Sequence, residues 1–408
     1  MGLSVSLTKM KQAKFRSKTV RDIYLNISHF LDHFIMLIFA KAAYDAGRHF
    51  DLTYDEIIVY GTLSFLFFGA FAPLASYLAD KFSRASLMII YHFGLAVSSI
   101  TAGTSSSLFV LSASLAVIGI FASIYHPVGT AMLLAKNEKT GLRLGINGVY
   151  GNMGVAAAPL VLGAILLFGD WRLCFIIPGI FCLMYGLIFV IVLEDKPLVE
   201  QNKSFELKRS FAKNWEWALG SIALSTLAGG FIFGAMTFII PRYFEIYLVE
   251  ISTSVAVTGA LAAAVYACAS FSQIVVGRLI DIYKPKSVLL FTAIGQIICI
   301  FFASALENWY LFFVSLAAMC FVFGQVPIND AILSRYIPDE SRDKILSIKF
   351  LLNLCVGASI LPVSSSLMQN GYGFNTIFIL MAGIAVIILL AALILPNQRE
   401  TDRLDKNQ

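Results

Sequence analysis

The chain of 408 residues is 58% hydrophobic and only 13% charged, with a mean hydropathy of +0.80, whereas soluble domains carry about a quarter charged residues. A water-soluble domain is excluded. The net charge of +5 is explained by basic loops, so no nucleic-acid partner is expected.

A membrane-spanning helix needs about 20 mainly apolar residues, because about 30 Å of hydrocarbon is crossed at 1.5 Å per residue. Twelve runs meet that length, near 23–47, 55–79, 86–104, 107–135, 144–168, 172–193, 214–240, 254–277, 287–304, 308–334, 345–368 and 374–395. Barrel strands would be about 9–11 residues long with alternating polarity. The expected fold class is therefore an all-α membrane protein with twelve transmembrane helices. The segment 1–22 carries Lys9, Lys11, Lys14, Arg16, Lys18 and Arg21 and leads directly into the first span, with no cleavable signal evident. With both termini inside, 25 of the 30 Lys and Arg residues fall in cytoplasmic segments, a strong positive-inside asymmetry. This predicts an integral protein of a bacterial-type inner membrane with both termini cytoplasmic.

The first span contains "SHFLDHFIMLIFAK" from Ser28 to Lys41. An ionisable side chain near the bilayer centre costs about 2.5–3.5 kcal/mol, so it must face protein or water and is a functional candidate. His29 and His33 are four apart and share a helical face flanked by Asp32; Lys41 and Asp45 have the same spacing and can pair. His29 reads as an interfacial residue. Asp32 and His33 lie deeper and are candidates for a transport role, since a carboxylate beside an imidazole in a cavity of changing hydration can load and release a proton. Lys41 either serves the same passage or snorkels to the outer interface.

Span four brings "IYHPVGTAML", which puts His126 near the midplane beside Pro127; His126 either contacts substrate or proton, or is satisfied by a helix neighbour. Span five carries Gly141, Gly145, Gly148, Gly151 and Gly154 down one side, a close-packing seam, from which Asn147, Tyr150 and Asn152 rise. Asn147 or Tyr150 is expected either at a cavity or in an interhelical hydrogen bond. The longest internal polar stretch, 194–213, divides the spans six and six; Phe205, Leu207, Phe211 and Trp215 alternate there with Lys208, Arg209 and Lys213 and suggest a short surface helix. In the second half the polar candidates are Tyr266 and Gln273 on span eight, Gln325, Asn329 and Asp330 around Pro327 on span ten, and Lys349 and Asn353 on span eleven. Asp330 either serves the site or pairs with Arg335 or Lys349, and Lys349 either meets an anionic substrate or snorkels inward. The six cysteines all lie within spans, without a CxxC pair. They read as buried apolar residues with no metal site and no disulfide framework.

The halves repeat. Asp80 in "SYLADKFSRAS" precedes Asp281 in "GRLIDIYKPKS" by 201 residues, Pro127 precedes Pro327 by 200, and Gly154 and Pro159 precede Gly357 and Pro362 by 203. Such duplication marks secondary transporters.

These motifs resemble the major facilitator superfamily over the whole chain. Asp80 and Arg84 match that family's signature after helix two, with Ser76 where glycine is usual. Gly277, Arg278 and Asp281 keep the pattern in the second half, and "GDWR" at 169–172 is similar to a recurring family feature. "IYHPVGTAML" and "GNMGVAAAPLVLG" look most like the fosmidomycin-resistance-type exporters, although Val128 stands where those proteins tend to have an acid and His33 near where they carry aspartate. The resemblance implies two six-helix bundles, 23–193 and 214–395, related by pseudo-symmetry and joined by the linker 194–213, with a tail at 396–408. It places helices one, four, seven and ten around a central cavity. It also implies that Asp80, supported by Arg84, meets the amino end of helix eleven near Ser341, and that Asp281, supported by Arg278, does the same for helix five. A helix amino terminus carries about half a positive charge, so these contacts would latch the cytoplasmic side.

The expected protein is a monomeric secondary transporter of a small polar or amphiphilic molecule, working by alternating access with protons and the lipid bilayer as its other partners. Proton-coupled export is the first reading; uptake of a metabolite or siderophore-like anion, or a non-transporting sensor, are the alternatives. No enzyme is expected, since neither HExxH nor a nucleophile with its base is present, and the lack of GxxxxGK[ST] implies no nucleotide or other cofactor.

Overall fold

The computed structural model describes residues 13–15, 18–134, 140–195 and 211–397. Among the described residues, twelve helices are long and apolar enough to cross a membrane: α1 Thr19–His49, α2 Tyr54–Ala79, α3 Arg84–Gly103, α4 Leu108–Leu133, α5 Gly145–Ile165, α6 Trp171–Val192, α7 Trp215–Tyr247, α8 Val255–Ile282, α9 Pro285–Ala303, α10 Asn308–Tyr336, α11 Ile348–Gln369 and α12 Phe374–Ile394. Their number and order agree with the hydropathy reading. The helices start where local chemistry satisfies free N–H groups. Thr53 and Glu56 form a capping box before α2, with Glu56 Oε2 accepting from Thr53 N at 2.8 Å. Ser83 caps α3 by accepting from Ser86 N at 3.0 Å, and Ser107 caps α4 by accepting from Val110 N at 3.3 Å. Pro285 opens α9, where its missing N–H costs nothing.

One boundary differs from expectation. Arg242, beyond the expected end of span seven at 240, lies inside α7, which runs through Pro241 to Tyr247. Its guanidinium bonds Glu245 at 2.8 Å, one turn on, so the helix carries its own charge compensation. Residues 196–210, which hold most of the expected surface helix of the linker, lie outside the described residues; Trp215 begins α7 directly after Asn214 in left-handed conformation.

The chain divides into two compact units, Met1–Phe205 with Val255–Ala263, and Glu206–Ser254 with Ala264–Gln408. Each repeats one plan. In the first, α1 pairs with α5, α3 with α6, α3 with α4 and α2 with α4; in the second, α7 pairs with α11, α9 with α12, α9 with α10 and α8 with α10. The breaks in the helices recur as well. α2 is interrupted at Phe71 and α8 at Phe271. The close crossings recur: a Cβ on Gly94 of α3 would meet the ring of Phe121 at 2.2 Å, and one on Gly295 of α9 the ring of Phe321 at 2.5 Å. Gly154 of α5 packs on the Phe30 carbonyl of α1, and Gly357 of α11 packs on Gly230 of α7. Lipid supplies no hydrophobic drive between helices, so small residues that let backbones approach hold these pairs together. Both units present large apolar side chains outward, among them Phe168, Ile191, Phe291 and Leu390, as a lipid environment requires.

The cysteine expectation holds in part. Cys174 and Cys182 are buried, Cys299, Cys320 and Cys355 half-buried and Cys268 exposed, and all six are free thiols. The reason is that a span position is apolar whether it faces protein or lipid.

Candidate functional site

Helix α1 is broken near its middle. Regular helix ends at Met36 and resumes at Ile38, with Leu37 N bonding back to Phe34 O at 3.2 Å. One turn before this break stand Asp32 and His33, and one turn before them His29. Facing them, α4 widens into a π-turn over Tyr125–Gly129, where Pro127 cannot donate to the ladder; such bulges are frequent at functional sites. The wide turn carries His126 onto α1. Its Nε2 lies 3.7 Å from Asp32 Oδ2, and its ring centroid is 5.2 Å from that of His29 and 5.5 Å from that of His33. The rings of His29 and His33 are 5.0 Å apart. Phe68 of α2 and Tyr125 close the group, Tyr125 stacking on His29 at 4.8 Å.

Asp32 is fully buried, yet neither carboxylate oxygen has a hydrogen-bond partner. Buried polar atoms are bonded in the great majority of cases, so this exception calls for a cause. The surroundings are fixed far better. Tyr91 of α3 donates to Ser28 O at 2.9 Å, Tyr125 to Leu25 O at 2.8 Å and Tyr185 of α6 to Tyr24 O at 3.1 Å. Asn147 of α5 donates to Asn26 Oδ1 at 2.9 Å and to the Tyr125 hydroxyl at 2.8 Å. His29 donates Nδ1–H to the Asn147 carbonyl at 2.7 Å. Four helices thus clamp the turn of α1 that precedes Asp32. Asn147→Ala is expected to lower stability by about 1–3 kcal/mol by orphaning buried groups, whereas Asn152→Ala, whose buried Nδ2 already has no partner, is expected to change it little. Thermal melts of the two variants in detergent compare them directly.

The other candidates fall into three groups. Lys41 is 4% exposed and packs beside Gly163 of α5, so it does not extend to the interface as snorkelling requires. Asp45 accepts from Trp171 N at 2.9 Å, capping α6. Tyr150 is 39% exposed. In the second unit Gln325, Asn329 and Tyr266 have hydrogen-bond partners within the unit. Gln325 donates to Ser225 O at 3.0 Å and accepts from Gln296 Nε2 at 2.9 Å, Ser225 Oγ donates to Asn329 Oδ1 at 3.0 Å, and the Tyr266 hydroxyl donates to Met236 O at 3.0 Å. Lys349 is paired with Asp330, one of the partners expected for it. Among the loop residues, Arg84 reaches the Ala131 carbonyl at 3.5 Å, and Arg278 and Asp281 are exposed. The side chains of Asp80 and Ser341 lie outside the described residues.

Sequence reasoning singled out Asp32, His33, Asn147 and His126 and the structure brings them together. It underrated His29, whose ring lies against His33, His126 and Tyr125, and it did not single out Tyr91, Tyr125 or Asn26. Their signal was present, since hydroxyls and amides inside apolar spans need partners. Nothing in one helix says which neighbour supplies them.

Twelve spans in two units of one plan, with ionisable groups buried on the first helix, define a membrane transport protein rather than an enzyme. The chain belongs to the Major Facilitator Superfamily, which it matches over residues 25–254 and 245–408. It is similar to the multidrug resistance protein MdtG of Proteus mirabilis (strain HI4320), with 23% identity over 339 residues, 81% of this chain and 83% of that one. It is also similar to an uncharacterized MFS-type transporter, YqjV, of Bacillus subtilis (strain 168), with 25% identity over 177 residues, 41% of this chain and 42% of that one. Among solved structures, a bacterial homolog of the human lysosomal transporter Spinster in an inward-facing, occupied conformation superposes with a TM-score of 0.74 at 15% identity, covering 92% of this chain and 96% of that chain. A D-xylose-proton symporter gives 0.72 at 13% identity, covering 93% and 97%. At such identity these structures share the fold alone. The protein is an integral membrane transporter of a small-molecule substrate.

Proposed function

We propose that the protein is a proton-coupled exporter of small amphiphilic molecules, working as a monomer by alternating access, with both termini in the cytoplasm and the proton carried by Asp32 and His126. The observation that carries this reading is the fully buried Asp32 carboxylate with two unbonded oxygens, 3.7 Å from His126 Nε2. One proton on this pair leaves it neutral overall, whether it sits on the carboxylate or on the imidazole, whereas an unpaired buried charge costs several kcal/mol. Opening the site to water removes that cost and lets the proton go, so hydration and proton release are coupled. Export is supported by the likeness to a multidrug resistance protein and by the histidine-proline motif of α4. The basic loops support the orientation.

The test uses purified protein in vesicles loaded with ethidium as the amphiphilic probe. A pH gradient of one sign is expected to drive ethidium movement against its own gradient, and the reversed gradient to drive it the other way. Ethidium flux that ignores both gradients would overturn the coupling, and flux with the proton gradient would turn the reading to uptake.

A further inference from the structure

We infer that His29, His33, His126 and Asp32 form a binding site for a divalent first-row transition-metal ion of intermediate softness, of the class of Zn2+, Co2+ or Ni2+. The spacing of residues in the sequence gives no hint of it, because His126 is distant from the other three; the fold supplies the set. One donor atom from each imidazole can be chosen so that all three lie within 4.8 Å of one another. In a tetrahedral site with metal–nitrogen bonds of about 2.0–2.1 Å the donors would be about 3.4 Å apart. Binding an ion would therefore draw the three donor atoms closer together than they stand here.

Orientation favours metal over a mere aromatic cluster. The Asn147 carbonyl can only accept a hydrogen bond, so the 2.7 Å contact fixes the His29 proton on Nδ1. That leaves the lone pair on Nε2, which is buried and has no hydrogen-bond partner. A ligating histidine held through its other nitrogen by a backbone carbonyl is the usual outer arrangement at protein metal sites. His29 and His33 are four apart on one helix, so their rings emerge on the same side, one turn apart. The π-turn of α4 delivers His126 from the opposite wall. Asp32, whose Oδ2 lies 3.7 Å from His126 Nε2, stands beside the three imidazoles and would supply the fourth ligand through one of its two orphaned carboxylate oxygens.

The donor set also predicts the metal. Three imidazoles and one carboxylate suit ions that accept nitrogen readily. Mg2+ and Ca2+ require six or more oxygen donors, mostly carboxylates, carbonyls and water, and the cluster does not provide them. All four ligands come from α1 and α4 of the first unit, so binding needs no residue of the second. The inference depends on this geometry and not on the proton-coupled reading, and the two can fail separately.

The experiment is titration of the purified full chain, freed of any polyhistidine tag, with CoCl2 in detergent and without a pH gradient or ethidium. One equivalent of Co2+ is expected to bind and to give the visible ligand-field bands of a four-coordinate ion, with excess Mg2+ failing to displace it and Zn2+ displacing it. Asp32→Asn and His33→Ala are each expected to weaken binding by about tenfold or more, while His49→Ala, at an exposed position, leaves it unchanged. His126→Gln, which keeps a polar side chain in the π-turn, is checked by thermal melting and is expected to fold and to lose the four-coordinate bands. No stoichiometric binding, octahedral bands only, or binding that survives the double variant His33→Ala, His126→Gln would overturn the inference.

Discussion

Asparagine at position 32 is expected to cut proton-coupled transport by about 100-fold, the scale on which a positioned proton-transfer group acts, and yet to leave the protein as stable as the parent or more so. The two effects have opposite signs for one reason. Asp32 is fully buried and unbonded, so as a structural element it is a liability: burying a carboxylate costs several kcal/mol that hydrogen bonds do not repay here. Asparagine has the same outline and no ionisation, so packing survives. A residue kept at such cost is one whose charge is used. The measurement pairs ethidium flux under a pH gradient with the melting temperature in detergent. A variant that loses flux only because it unfolds would show a lowered melting temperature, and a variant with full flux would remove Asp32 from the mechanism. His126→Gln should follow the same pattern in flux, since its Nε2 is the ionisable neighbour of the carboxylate.

The second large effect concerns the α1–α5 crossing. A Cβ at Gly154 would lie 2.1 Å from the Phe30 carbonyl oxygen, and that oxygen belongs to backbone that cannot swing away. Gly154→Ala is expected to destabilise by at least about 1–3 kcal/mol, the usual cost of overpacking, and to push α1 off the helix that holds its histidines. Gly145→Ala is the matched control on the same helix. Nothing lies within 4 Å of its added methyl group, so the gain of about 0.8–1.0 kcal/mol in helix propensity should appear as a higher melting temperature. Equal effects from the two substitutions would mean that α1 and α5 do not cross at Gly154. Gly151→Ala is intermediate in kind: its Cβ would come within 2.6 Å of the His29 ring, a side chain that can move, so transport should suffer more than stability.

Periodicity and composition were enough for the twelve spans, because a helix in lipid must be long and apolar whatever it touches. The repeat was legible for a similar reason. Gly154 and Gly357, or Pro127 and Pro327, mark backbone events that depend on the residue itself, a close approach or a lost donor, and so they leave a trace in the chain. Asp32 and His33 stood out because charge in an apolar run is costly wherever it faces. What the sequence could not decide was partnership. Whether Gln325 and Asn329 line a passage or bond Ser225 and Gln296, whether Lys41 reaches water or packs at Gly163, and whether His29 lies at an interface or against His126 all depend on which helix stands alongside. Only the tertiary structure assigns those neighbours, because a hydrogen bond or an ion pair is set by distances of about 3 Å between atoms far apart in the chain, 121 residues for Asn147 and Asn26 and 161 for Tyr185 and Tyr24, and no single helix encodes them.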